Sequence, residues 1–79
     1  MPTLFKLFGL IFSIYTRDHC PPHVHVISQE VEAIFTVSED GVEMRENKGM
    51  RQKDISLSLS VIYENKELIL KEWENYHNR

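Results

Sequence analysis

The spacing of apolar residues changes once along the chain, and this change limits the fold more than any other feature. Before Asn47, apolar and polar residues alternate in short runs, which is typical of half-buried β-strands. After Arg51, the spacing of Ile55, Leu59 and Ile62 and the abundance of glutamate, lysine and leucine favour a helix. The chain is therefore predicted to be an α+β domain, with its strands first and its helix last.

The predicted strands lie within residues 3–46 and are separated by recognisable turn sequences. Gly9 separates two apolar runs, two prolines precede the run that begins at His23, and an Asp-Gly pair ends at Gly41. We expect one domain over residues 1–79, in which an antiparallel meander of four or five strands packs in two layers against one long C-terminal helix at about residues 52–76. The expected core consists of the apolar residues Phe5, Leu7, Phe12, Ile14, Val24, Val26, Phe35, Val37, Ile55, Leu59, Ile62, Ile69 and Trp73.

The length of the predicted helix raises the question of what covers its far end. At 1.5 Å per residue the helix would be about 37 Å long, whereas four or five strands spaced by about 4.8 Å make a sheet about 19–24 Å wide. Trp73 and Tyr76 would then need cover from the N-terminal hairpin or from a second subunit. A homodimer is therefore one expectation.

The composition narrows the class of protein. With 79 residues, of which 42% are hydrophobic, the chain is long enough for one small core. The lone Cys20 cannot form an intramolecular disulfide, which suits a reducing cytoplasm. The apolar run from Leu4 to Ile14 is interrupted by Lys6 and is shorter than the roughly 20 residues of a spanning helix, so we expect no membrane partner.

The histidine-rich segment from Asp18 to Val26 is the candidate functional site. His23 and His25 are two residues apart on a predicted strand, so both imidazoles are expected on one face, at a strand edge, with Cβ atoms about 6–7 Å apart. Two prolines stiffen the connection that carries His19. Such a pair can converge on one metal ion or one phosphate group, although the histidines could also be polar surface residues.

One interpretation of the segment is a metal site. His23 and His25, with a third ligand from His19, Cys20 or Asp18, would match the ligand types that zinc prefers. Cys20 is also a weaker candidate nucleophile, with a neighbouring histidine as its base.

A second interpretation is acid–base catalysis on RNA. His19, His23 and His25 would be the catalytic residues, because imidazole can act as acid or base near neutral pH. Lys48 and Arg51 would bind the phosphate. The net charge of −3 argues against strong general binding of nucleic acid, so this activity would depend on local contacts. A third interpretation is binding of an anion or nucleic acid without any reaction.

Three segments together resemble one small bacterial family. They are Met1-Pro2-Thr3, the block Asp18-His19-x-Pro21-Pro22-His23-Val24-His25-Val26 and Trp73-x-x-Tyr76-His77. These make the chain similar to the members of domain of unknown function 4160, except that Cys20 stands where a polar residue such as asparagine is expected. The resemblance assigns no role to any residue.

The resemblance also implies a setting for the protein. Members are often found beside another small domain, in a layout similar to a toxin–antitoxin pair. By this analogy the chain is expected to be a cytoplasmic, toxin-like protein that binds or cleaves RNA and has a small cognate partner protein. The alternative is a non-catalytic metal-binding or protein-interaction module.

Overall fold

Five antiparallel strands lie in one sheet in the order of the sequence, so the predicted meander is confirmed. The computed structural model describes residues 3–15 and 21–77. Within these ranges, two helices follow the sheet. The elements are β1 Thr3–Leu7, β2 Leu10–Ser13, β3 His23–Ser28, β4 Val31–Ser38, β5 Gly41–Lys48, α1 Gln52–Glu64 and α2 Lys66–His77.

The turn between β1 and β2 places a large aromatic residue in an unfavourable conformation. Phe8 and Gly9 both have positive φ, of 55° and 76°, and the register pairs Leu7 with Leu10 around them. These are features of a type I′ turn, which glycine and asparagine adopt readily. A phenylalanine in the left-handed region is strained. Since Phe8 is 67% exposed, it has little packing to offset that strain.

Replacing Phe8 with asparagine is expected to stabilise the protein. Phe8→Asn should raise the free energy of unfolding by about 1 kcal/mol, because asparagine tolerates the left-handed backbone better. Urea denaturation followed by circular dichroism measures this change. Lys6→Asn, an exposed site in β1 without positive φ, is the control and should give no gain. An unchanged or lower value for Phe8→Asn would show that the turn does not strain Phe8.

The prediction of one long C-terminal helix is wrong, because the helix is interrupted at Asn65. The backbone N–H of Asn65 donates to the carbonyls of Val61 and Ile62, both at 3.1 Å, and its Nδ2 donates to Val61 O at 2.8 Å. The side chain thus competes with the backbone for a helical acceptor, and φ and ψ leave the helical region at −111° and 16°. Asn65 O then accepts the N–H of Ile69 at 2.9 Å as α2 begins.

With the helix broken at Asn65, Trp73 is buried against other residues of the same chain. Lys66 Nζ donates to Glu39 O at 2.9 Å, which places the start of α2 beside the turn between β4 and β5. Trp73 is only 5% exposed. The argument for a homodimer from an overhanging helix therefore no longer applies, and the homodimer stays a prediction without it. Neither α1 nor α2 is long and apolar enough to cross a bilayer.

The core lies where the two helices pack against the sheet. Helix α1 packs on β4 and β5, and α2 packs on β4. Every predicted core residue is buried or half-buried except Leu7, for which the prediction is wrong: it lies at the end of the β1–β2 hairpin and is 40% exposed. The sequence pattern also missed five buried apolar residues, which are Leu10, Ala33, Ile34, Met50 and Val61.

Strand β5 extends two residues beyond the predicted end of the sheet at Glu46. Asn47 pairs with Ala33 and Lys48 pairs with Glu32. The chain then leaves the sheet through Asn47, whose Oδ1 accepts the N–H of Met50 at 2.7 Å and whose Nδ2 donates to Met50 O at 3.1 Å. This short loop keeps Lys48 on the sheet, next to β4.

Candidate functional site

His23 and His25 lie on one face of β3, as predicted, but not at an edge of the sheet. Strand β3 is the central strand of the five. The two ring centroids are 5.4 Å apart and the ring planes are inclined by 57°. Each residue is only 6% exposed. The prediction of a strand edge is therefore wrong, and burial also excludes the alternative that the two histidines are polar surface residues.

Glu32 on β4 orients the imidazole of His25. His25 Nδ1 donates to Glu32 Oε2 at 2.7 Å, and the hydroxyl of Tyr15 donates to the same oxygen at 3.2 Å. The Tyr15 ring stacks on His25 with centroids 3.8 Å apart and planes within 6°. The Cα partner of Glu32 on β3 is Ile27, so Glu32 is a diagonal neighbour of His25 on the same face. The imidazole is thus held both by its edge and by its face.

The two residues predicted to bind phosphate lie in different places. Lys48 joins the histidine site, because its Nζ is 3.7 Å from Glu32 Oε1 and 3.9 Å from Glu46 Oε2. The guanidinium of Arg51 instead faces Asp54 Oδ2 at 3.4 Å. Arg51 lines an open depression of about 530 Å³ beside the β3–β4 turn. Only Lys48 is connected to His25, through the carboxylate of Glu32.

His23 is held from the opposite side by helix α2. Its Nδ1 donates to Pro21 O at 2.9 Å, and its ring lies 5.1 Å from the Trp73 ring at an angle of 52°. The indole stacks on His77 with centroids 3.9 Å apart. His77 Nδ1 donates to Trp73 O at 2.8 Å, which keeps the stacked ring in place. A continuous row of rings therefore runs from Tyr15 through both histidines to α2.

The three candidates for the third metal ligand, His19, Cys20 and Asp18, lie outside the described residues. Over residues 3–15 and 21–77, no group of three or more histidine, cysteine or acidic side chains is arranged to hold a metal ion.

Comparison of the chain with known protein families gives a match. The family model described as "Domain of unknown function (DUF4160)" matches residues 9–74, which is most of the chain. The chain belongs to the DUF4160 family. The match includes the central histidine block and Trp73, so the family resemblance seen in the sequence is confirmed. Searches of curated proteins and of solved structures each gave no match to the chain.

The hydrogen bonds in this DUF4160 domain determine what the two imidazoles can do. In each ring, Nδ1 donates to an oxygen acceptor, the Pro21 carbonyl for His23 and the Glu32 carboxylate for His25. When the ring is neutral, the proton therefore sits on Nδ1 and the lone pair on Nε2. Such a ring can accept a proton from a hydroxyl group or bind a metal ion through Nε2.

Sequence reasoning missed Glu32 and Tyr15, which orient His25. The sequence does contain a signal for Glu32, because Glu32 is the acidic residue on a strand face that otherwise carries Ile34 and Thr36. The tight turn between β3 and β4 pairs Ser28 with Val31, and this register places Glu32 on the same face as His25.

Proposed function

We propose that this DUF4160 domain binds RNA and cleaves its phosphodiester backbone, with His23 and His25 as acid and base. The observation that supports this function best is the 2.7 Å hydrogen bond from His25 Nδ1 to Glu32 beside a second imidazole at 5.4 Å. A carboxylate that fixes the tautomer of a histidine is a recurring feature of general bases. A base and an acid side by side are what the transfer of two protons requires.

The two proton transfers of the proposed reaction can be written with His23, His25 and the RNA. His25 Nε2 takes the proton of a ribose 2′-hydroxyl as its oxygen attacks phosphorus. Protonated His23 gives its proton to the departing 5′-oxygen, so that a 2′,3′-cyclic phosphate and a 5′-hydroxyl form. Lys48, whose Nζ lies 3.7 Å from Glu32 Oε1, is proposed to add positive charge beside the phosphate. His19, the third proposed catalytic histidine, lies outside the described residues.

Burial and charge set two conditions on this function. Both imidazoles are almost fully buried, so the site must open when RNA binds. Because the chain has a net charge of −3, binding must rest on local contacts, and Arg51 is proposed to bind a phosphate that flanks the reacting one.

The toxin-like setting is part of the same proposal. We propose that the protein acts in the cytoplasm as one member of a toxin–antitoxin-like pair, with a small cognate partner protein that restrains it. The support is the analogy drawn from the family, which is associational.

A second candidate function is metal binding. Histidines that bind metals usually donate their other ring N–H to a carboxylate or a backbone carbonyl. His23 donates to the carbonyl of Pro21, and His25 donates to the carboxylate of Glu32. Under this alternative, His23, His25 and a third ligand such as His19 hold a divalent ion such as zinc, and the domain is a non-catalytic binding module.

A double substitution separates these functions. For the ribonuclease, the purified protein should cleave a single-stranded RNA oligonucleotide to 2′,3′-cyclic phosphate ends, and His23→Ala/His25→Ala should slow cleavage by about 10²-fold or more. Expression of the wild type should also halt growth, and expression of the double variant should not. Lys71→Ala, at an exposed position on α2, is the control for effects of substitution and purification that do not involve the site, and it should cleave RNA as fast as the wild type does.

Two results would contradict the ribonuclease. One is growth arrest that persists in the double variant. The other is zinc bound stoichiometrically by the wild type and lost in the double variant, with no cleavage of RNA by either protein. That second result would instead establish the metal-binding module.

A further inference from the structure

Two serines among the described residues are fully buried, but their hydroxyl groups have different surroundings. Ser58 Oγ donates to Asp54 O at 2.6 Å and lies 3.9 Å from Met50 Sδ. Ser13 Oγ has no hydrogen-bond partner within the described parts of the chain. A buried hydroxyl without a partner destabilises a fold, and packing alone would favour alanine at this position. The presence of a hydroxyl at Ser13 therefore calls for another reason.

The position of Ser13 supplies that reason. Ser13 ends β2, and its Cα partner on β3 is His25. Side chains of directly opposed residues share a face, with Cβ atoms about 4.5–5.5 Å apart. The unpaired hydroxyl is thus the immediate neighbour of the imidazole that Glu32 orients, on the face that also carries His23.

We propose that Ser13 is a further binding residue of the histidine site, whose hydroxyl donates a hydrogen bond to an oxygen of a bound phosphate group. This inference rests on the proposed function and names the chemical group that the site recognises. A hydroxyl, an imidazolium N–H and the ammonium group of Lys48 are all donors, which suits a ligand rich in acceptor oxygens. A serine hydroxyl is not among the ligands that zinc prefers. Because Ser13 and both histidines are buried, the site must open to admit the phosphate.

The test compares Ser13→Ala with Ser58→Ala, which is a matched change at the other fully buried serine. Ser13→Ala removes an unsatisfied hydroxyl, so it is expected to raise Tm by about 4–8 °C. It should also weaken the binding of inorganic phosphate by about tenfold or more, because one hydrogen bond to an anion is lost. Ser58→Ala should leave Tm equal to or below that of the wild type, with phosphate affinity unchanged. Scanning calorimetry and phosphate titration followed by NMR of the histidine rings give both quantities.

Three results would overturn the inference. A lower Tm for Ser13→Ala would mean that the hydroxyl has a structural partner. A higher Tm with unchanged phosphate affinity would mean that the hydroxyl serves no ligand. If the wild-type protein binds no phosphate, then phosphate is not the group that this site recognises. Because phosphate binding is measured without RNA, a failure to cleave RNA would contradict the proposed function and leave the role of Ser13 standing.

Discussion

Replacing Trp73 with alanine is expected to lower the free energy of unfolding by about 3–5 kcal/mol, the usual cost of removing a large buried aromatic side chain. The indole belongs to the core and contacts both His23 and His77. A domain of this size typically has a total stability of about 4–12 kcal/mol. The substitution should therefore leave much of the protein unfolded at 37 °C and should disrupt the packing on His23.

Urea denaturation followed by circular dichroism measures this loss. Trp73→Phe is the matched control, because it keeps an aromatic ring in the same place and should cost clearly less than the alanine change. Since Trp73 is the chain's one tryptophan, fluorescence of the wild type reports the docking of α2 directly. A loss below about 1 kcal/mol for Trp73→Ala would show that α2 does not pack against β3 in solution.

The strands were predictable because alternation and turn residues are local signals. Every predicted strand is present, and the turn at Gly9 and the strand start at His23 are where the sequence places them. The break at Asn65 was not predictable in the same way. Apolar spacing continues through it, and the break depends on a side-chain hydrogen bond from Asn65 to Val61 that competes with the helix.

The site was predictable only in part, because it combines local and long-range geometry. The shared face of His23 and His25 follows from the period of a strand alone. Their burial does not, since it depends on the central position of β3 and on Trp73, which is 50 residues away from His23 along the chain. The joint prediction of Lys48 and Arg51 treated neighbours in sequence as neighbours in space, but only Lys48 stays on the sheet beside Glu32.

Removing the carboxylate of Glu32 is expected to lower both the stability of the domain and the activity proposed for the histidine site. Glu32→Ala should lower the free energy of unfolding by about 2–4 kcal/mol, because the N–H of the buried His25 and the hydroxyl of the half-buried Tyr15 lose a charged acceptor. It should also slow the proposed cleavage of RNA, by no more than the double histidine variant does, since His25 is no longer held in the tautomer that makes Nε2 the base. Glu32→Gln keeps one acceptor oxygen, so its stability and its rate of cleavage should both lie between those of the wild type and those of Glu32→Ala.

Glu46→Ala distinguishes an effect on His25 from a general loss of negative charge near Lys48. Its carboxylate lies 3.9 Å from Lys48 Nζ but is exposed, so the change should cost less than about 0.5 kcal/mol. Nitrogen NMR of the neutral His25 ring gives a direct readout of the role of Glu32. The proton should sit on Nδ1 in the wild type and in Glu46→Ala, and it should be shared between both nitrogens in Glu32→Ala. Equal losses of stability for the two alanine variants, or an unchanged tautomer of His25 without Glu32, would show that the carboxylate does not orient the imidazole.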